Sequence, residues 1–197
     1  MAPVRGSHAA PRARILDAAD TLFYERGVRS VSVEDVVGLA GTTRMTLYRH
    51  FTSKDDLVVQ YLRARADRER AAVAGIVAGA AREEWDALLD LGAWIEDVVS
   101  ADGFRGCPFL RAAAEFGDPG HPVRRLVAEH RAWYRERVAR MVAAAGVRGP
   151  DAVADRLVLL RDGAMVGGAL RDVGTVGALR PAFAAVLGTG GSLGTGG

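Results

Sequence analysis

A chain of 197 residues, 49% hydrophobic and 25% charged, has room for one substantial core, or for a core plus a small appended module. No apolar run approaches the roughly 20 residues that a bilayer crossing needs, and the N-terminus lacks the apolar stretch of a secretory signal, so a cytoplasmic protein is expected. The net charge of +2 is too small to argue for a polyanionic partner by itself, and the single cysteine, Cys107, excludes an intrachain disulfide and a cysteine-based metal site.

Residues 1–11, with two prolines and a glycine, read as a flexible arm. Ile15, Ala18, Ala19, Leu22 and Phe23 then recur at helical spacing, and Gly27 stops that first helix. Ser32 with Asp35 has the spacing of a capping box, and Val31 with Val36 that of a hydrophobic staple, so a second helix is predicted over 33–40. Gly41 supplies the tight turn after it. Thr43 caps a third helix that turns Leu47 inward and ends near Phe51. A further capping box, Ser53 with Asp56, starts a fourth helix at Lys54, which continues through Leu57, Val58, Tyr61 and Leu62 and bends or ends near Gly75 or Gly79.

Apolar periodicity predicts further helices over 83–99, 109–116, 122–145, 151–172 and 175–187, separated by the glycine-rich stretch 101–108 and by the turn Gly117-Asp118-Pro119-Gly120. Residues 188–197 are glycine, threonine and serine with one leucine, and read as a disordered tail. No alternating strand pattern occurs anywhere, and the chain is predicted to be all-α.

The short helix pair around Gly41 is a helix-turn-helix. Residues 12–57 are accordingly assigned to a three-helix DNA-binding domain with its recognition helix at about 43–50, and 58–187 to a C-terminal helical domain. Between Gly41 and Lys54 the charged residues are Arg44, Arg49 and Lys54, with no acid among them, and Lys54 is the only lysine of the chain. Thr43, Arg44, Met45 and Thr46 form the start of the recognition helix, where side chains go deepest into a major groove. Arg44 is suited to guanine, and Met45 and the Thr46 methyl to a thymine methyl. Tyr48, Arg49 and His50 lie further along, within reach of phosphates, and Lys54 opens helix four, where free backbone N–H groups already favour an anion. Ser32, Val33 and Glu34, at the start of helix two, complete the candidate DNA-binding set.

The run Leu47-Tyr48-Arg49-His50-Phe51 followed by Ser53-Lys54-Asp55-Asp56-Leu57 resembles the N-terminal domain of the TetR family of transcriptional regulators. The specific likeness covers residues 12–62; beyond it, size and helical layout agree. Thr42 stands where the family often has valine, and Met45 where it often has a small residue or proline, which leaves the operator sequence open. The resemblance implies that Arg44, Met45, Thr46, Tyr48, Arg49, His50 and Lys54 make the base and phosphate contacts. It also implies that a linking helix joins the DNA-binding head to a helical ligand-binding and dimerisation bundle.

One head of this size contacts a single half-site, so tight binding to a palindromic double-stranded DNA operator calls for a homodimer. Gly163, Ala164, Gly167 and Gly168 place small residues where a partner helix could approach closely, and Phe183 and Leu187 offer a second apolar face. Trp85, Trp94, Phe104, Phe109, Phe116, His130, Trp133, Tyr134 and Met141 are concentrated in the middle of the chain. They are candidates for a small-molecule effector pocket closed by the loop 102–106, with Glu115, His121, His130 and Arg131 as polar contacts. No phosphate loop, nucleophile elbow, cofactor motif or recognised metal-ligand spacing occurs, so an enzyme is not expected. The expected function is a ligand-responsive DNA-binding regulator, a repressor released by its effector. The alternatives are an all-helical enzyme and a protein-interaction module without sequence-specific DNA binding.

Overall fold

The computed structural model describes residues 10–79 and 84–191 and contains ten α-helices among them. These are α1 (Pro11–Arg26), α2 (Val33–Leu39), α3 (Arg44–His50), α4 (Lys54–Gly79), α5 (Glu84–Ser100), α6 (Pro108–Glu115), α7 (Pro122–Ala144), α8 (Pro150–Leu170), α9 (Val173–Gly177) and α10 (Leu179–Gly191). No strand occurs among the described residues, and none of the helices is long and apolar enough to cross a membrane. The chain divides into two compact units, Met1–Arg65 with Arg111–Leu126, and Ala66–Leu110 with Val127–Gly197.

In the first unit α1 packs against α2 and α3. The periodic residues of α1, Ile15, Ala18, Ala19, Leu22 and Phe23, are all buried, as the spacing requires. Leu47 and Phe51 are buried with them, each contributing about 1.5–3 kcal/mol through the apolar surface removed from water. In the second unit α5 packs against α8, α9 and α10, and α8 against α9 and α10. Close approach there depends on missing side chains. A Cβ on Gly92 of α5 would lie 3.2 Å from the Phe183 ring of α10, and one on Gly168 of α8 would lie 2.6 Å from the Val99 carbonyl oxygen.

Those contacts correct the expected partner surface. Ala164, Gly167, Gly168, Phe183 and Leu187 are buried within the chain, where they let α8 and α10 seat against α5 and α9. Gly163 alone of that set is exposed. The small residues of α8 therefore serve an intrachain approach, and a different face of the helix looks outward.

Most helix limits fall within one or two residues of those expected, and three differences trace to particular residues. Pro11 opens α1 rather than closing the arm, since proline at the first helical position sacrifices only an N–H that has no intrahelical acceptor. The single helix expected over 175–187 is two helices, α9 and α10. Pro181 cannot sit inside a continuous helix without losing a hydrogen bond to the residue four before it, so the chain restarts and carries that proline in the first turn of α10. Asp172 caps α9, accepting from the Thr175 N–H at 3.2 Å. At the far end, α10 runs to Gly191 rather than stopping at Leu187. Glycine weakens a helix by about 1 kcal/mol per residue without barring it sterically. Residues 1–9 of the expected arm and 192–197 of the expected tail lie outside the described residues.

Candidate nucleic-acid interface

The α2–α3 unit is built from local hydrogen bonds that the sequence spells out. The Ser32 hydroxyl accepts the Asp35 N–H at 3.1 Å and the Asp35 carboxylate accepts the Ser32 N–H at 2.8 Å, so both ends of the capping box are closed. The Ser32 hydroxyl and backbone hold the Asp35 carboxyl below the usual carboxylate range. At the end of α2, Gly41 adopts φ +59°, its N–H bonding to the Gly38 carbonyl at 3.3 Å and the Thr42 N–H to the Val37 carbonyl at 3.0 Å. This is a Schellman turn, and its left-handed position is the reason a glycine stands there. Thr43 then caps α3 by accepting the Thr46 N–H at 3.2 Å.

Leu47 and Phe51 anchor α3 in the core and leave its opposite face in solvent. Arg44, Met45, Tyr48 and Arg49 share that face at spacings of one, four and five residues, and all four are exposed. Met45 is 76% exposed and Tyr48 45%, large values for apolar and aromatic side chains. His50 is also exposed, and Thr46 half-buried. The Arg44 guanidinium donates to the Glu34 carboxylate of α2 at 2.6 Å.

Lys54 opens α4, half-buried. Its cap differs in detail from the expected box. Ser53 accepts the Asp56 N–H at 3.0 Å, but the Asp56 carboxylate reaches one residue further back, to the Thr52 N–H at 2.9 Å. The Thr52 backbone bond, opposed by some burial, holds the Asp56 carboxyl below its ordinary value.

Three of the candidate contact residues are otherwise engaged. Val33 is buried and belongs to the core, a correction, because it shares the inward face of α2 with Val36, three residues on. Thr43 and Ser32 have their hydroxyl oxygens committed to helix caps.

The same unit contains a feature that sequence reading missed. The Glu115 carboxylate, at the end of α6, accepts the backbone N–H of Val28 at 3.0 Å and of Arg29 at 2.6 Å. Arg111, one turn earlier, donates to the Tyr24 carbonyl at 2.6 Å, in the last turn of α1. Helix α6 thus supplies a cation to the carbonyl end of α1, the charge that a helix C-terminus favours, and a carboxylate that accepts the loop N–H groups just beyond it. His121 is paired with Asp55 at 3.1 Å and stacks on Phe116 with ring centroids 4.4 Å apart. Glu115 and His121, expected as effector contacts, are here contacts within the DNA-binding unit. Glu115→Gln should lower stability by about 1.5–3 kcal/mol, the contribution of hydrogen bonds to a charged acceptor, and a thermal or urea melt would measure it.

In the second unit the aromatic residues do not form one group. Phe109 stacks on His130 at 3.9 Å, His130 lies 5.5 Å from Trp133, and Tyr134 adjoins Trp133. They surround a buried ionic cluster in which Glu69 of α4 accepts from Arg161 of α8 at 2.7 Å and pairs with His130 Nε2 at 3.0 Å. Arg131 pairs with Asp162 at 2.6 Å, and the two line an open depression with Arg135, Asp155 and Leu159, apart from the aromatic residues. Phe104 instead lines a cavity of ≈ 250 Å³ with Val99, Asp102, Gly168, Arg171 and Val176 among its walls, and the other eight aromatic-set residues are not among them. Met141 is buried, Trp85 and Trp94 are half-buried, and Phe116 belongs to the first unit. Burial pushes the Cys107 thiol up, away from the reactive thiolate.

Residues 15–61 match the sequence model described as bacterial regulatory proteins, tetR family, and residues 86–171 match the tetracyclin repressor-like C-terminal domain. Among solved structures, a TetR-family transcriptional regulator from Streptomyces coelicolor is 37% identical, with a TM-score of 0.87 over 91% of this chain and 95% of that one. A TetR-type transcriptional regulator from Streptomyces avermitilis is 28% identical, with a TM-score of 0.82 over 93% and 99%. The HTH-type transcriptional repressor KstR2 of Rhodococcus jostii is 45% identical over 56 residues, and the HTH-type transcriptional regulator TtgR of Pseudomonas putida 47% over 47 residues. These curated matches span 28% and 24% of this chain, and 28% and 22% of the relatives' own length.

Proposed function

The chain belongs to the TetR family of bacterial transcriptional regulators, and from that membership we propose that it is a cytoplasmic repressor that binds a palindromic operator as a homodimer and is released by a small molecule. The observation that carries the reading is the exposed face of α3. Arg44, Met45, Tyr48 and Arg49 stand together in solvent on a helix anchored only from behind, with Lys54 opening the next helix. A guanidinium, a thioether, a phenol and a second guanidinium are the groups that base edges, thymine methyls and phosphates accept.

The dimer surface in this reading is the outward side of α8 and α10. Leu159, Gly163, Val166 and Leu170 fall on one stripe of α8, at intervals of four, three and four residues. Their three large members are 54–74% exposed. On α10, Pro181, Ala184, Ala185 and Gly188 face outward while Phe183 and Leu187 face in. Two such faces from each subunit make a self-complementary four-helix contact. The effector is assigned to the cavity beside Phe104, and its binding shifts the population toward dimers whose heads no longer match the groove spacing. The shift is limited by the effector's differential affinity for the two forms.

Selection from randomised duplex DNA tests the reading. The expected product is a palindrome with half-sites about one helical turn, 34–36 Å, apart. Lys54→Ala should weaken binding to every sequence and reduce the salt dependence by about one per lost phosphate contact, whereas Arg44→Ala should cost about 1–3 kcal/mol per half-site and relax one base position. Recovery of no motif, or of an unchanged motif from both variants, would reject the assignment.

A further inference from the structure

Resting on the DNA-binding reading above, we infer that Glu34 is a specificity-determining residue, a carboxylate on α2 whose task is to hold the Arg44 guanidinium in the pose that reads guanine.

The acids near the reading helix are otherwise accounted for by the fold. Asp35 closes the cap of α2, Asp56 accepts the Thr52 N–H, and Asp55 pairs with His121. Glu34 caps nothing; among the described residues it pairs with Arg44. The pair is exposed on both sides, 62% for Arg44 and 59% for Glu34, so it adds little to stability. A carboxylate beside a phosphate-binding face also repels the ligand at long range, so affinity does not explain it either. Direction does. An arginine side chain has several rotatable bonds and loses their freedom when its fork docks on a base. Glu34 spans from the first turn of α2 to the first residue of α3 and takes one hydrogen of the Arg44 Nη1. The Nε–H and the Nη2 hydrogens remain as a free, planar edge, matching guanine O6 and N7. The pair therefore enters the groove already oriented, and a base without two acceptors leaves the edge unsatisfied.

The experiment compares wild type, Glu34→Ala, Glu34→Gln and Arg44→Ala by selection from the same randomised duplex pool, followed by titration of the enriched site and of its single-base variants. Wild type should prefer guanine at one position per half-site, and Arg44→Ala should lose that preference. Glu34→Ala should lower discrimination there about tenfold, keep the half-site spacing, and bind unrelated duplex as tightly as wild type or more so. Glu34→Gln retains an acceptor and should recover part of the preference, which a purely structural residue would not show. Undiminished guanine discrimination in Glu34→Ala overturns the inference. A pool in which wild type enriches nothing overturns the DNA-binding reading instead, and a motif unchanged in Arg44→Ala overturns the assignment of Arg44, so the failures are separable.

Discussion

Gly168→Ala should destabilise the protein by about 2 kcal/mol or more, whereas Gly75→Ala should stabilise it by up to about 1 kcal/mol, although both remove a glycine from near the C-terminal end of a long helix. The difference lies in what the new methyl meets. At Gly75 nothing lies within 4 Å, so the gain in helix propensity stands alone. At Gly168 the methyl would sit 2.6 Å from the Val99 carbonyl oxygen, 2.8 Å from the Val99 Cβ and 3.0 Å from the Phe104 ring. The carbonyl belongs to the last turn of α5 and cannot yield as a side-chain tip would, so α8 must move away from α5. Urea midpoints at one fixed protein concentration measure both. Equal and opposite shifts are not required; a stabilised Gly168→Ala would show that α5 and α8 are further apart than described.

Arg161→Met should be the most damaging substitution in the second unit, at about 3–5 kcal/mol, because it strands a buried carboxylate. Glu69 and Arg161 are both nearly inaccessible, with side-chain exposures of 11% and 6%, and His130 beside them is 4% exposed. Burial pushes the Glu69 carboxyl up, but the His130 hydrogen bond and the Arg161 charge outweigh it and hold the group below its ordinary value of 4.5. A carboxyl whose folded value is depressed contributes stability above its unfolded value and loses it as pH falls through the folded one. The wild-type protein should therefore weaken on acidification below about pH 4.5, and Glu69→Gln should flatten that part of the profile. Replacing both partners, Glu69→Met with Arg161→Met, should recover most of the loss of the single variant, since no charge is then left buried alone. A double variant as unstable as Arg161→Met would place the loss in packing. The arrangement also has a geometric use: Arg161 lies 4.5 Å over the Tyr134 ring while holding Glu69, so α4, α7 and α8 share one fixed register.

The reading helix was legible because its determinants are local. Ser32, Asp35, Gly41, Thr43 and Ser53 each act on backbone groups within five residues, and each sits where its spacing predicted. Val33 was misjudged because a first-turn position does not by itself say which way the side chain turns. Glu115 and Arg161 were out of reach for another reason. Their partners are 87 and 92 residues away, and nothing in the composition around them names those partners. Arg161 did leave a trace. It stands among Leu157, Ala164, Met165 and Gly168 on the inward stripe of α8, a charged residue at an apolar position.

The amino-acid sequence alone determined that the chain is helical, where its N-terminal helices begin and turn, and which family it belongs to. Hydrogen-bond caps, glycine turns and apolar periods are short-range physics and survive being read one residue at a time. Only the tertiary structure decided which face of each C-terminal helix turns inward. Small residues on α8 and α10 satisfy a partner helix in the same chain as readily as one in another. That choice is made by total burial across elements far apart in sequence, and here it placed Gly168 and Phe183 inside and left Leu159, Val166 and Leu170 in solvent.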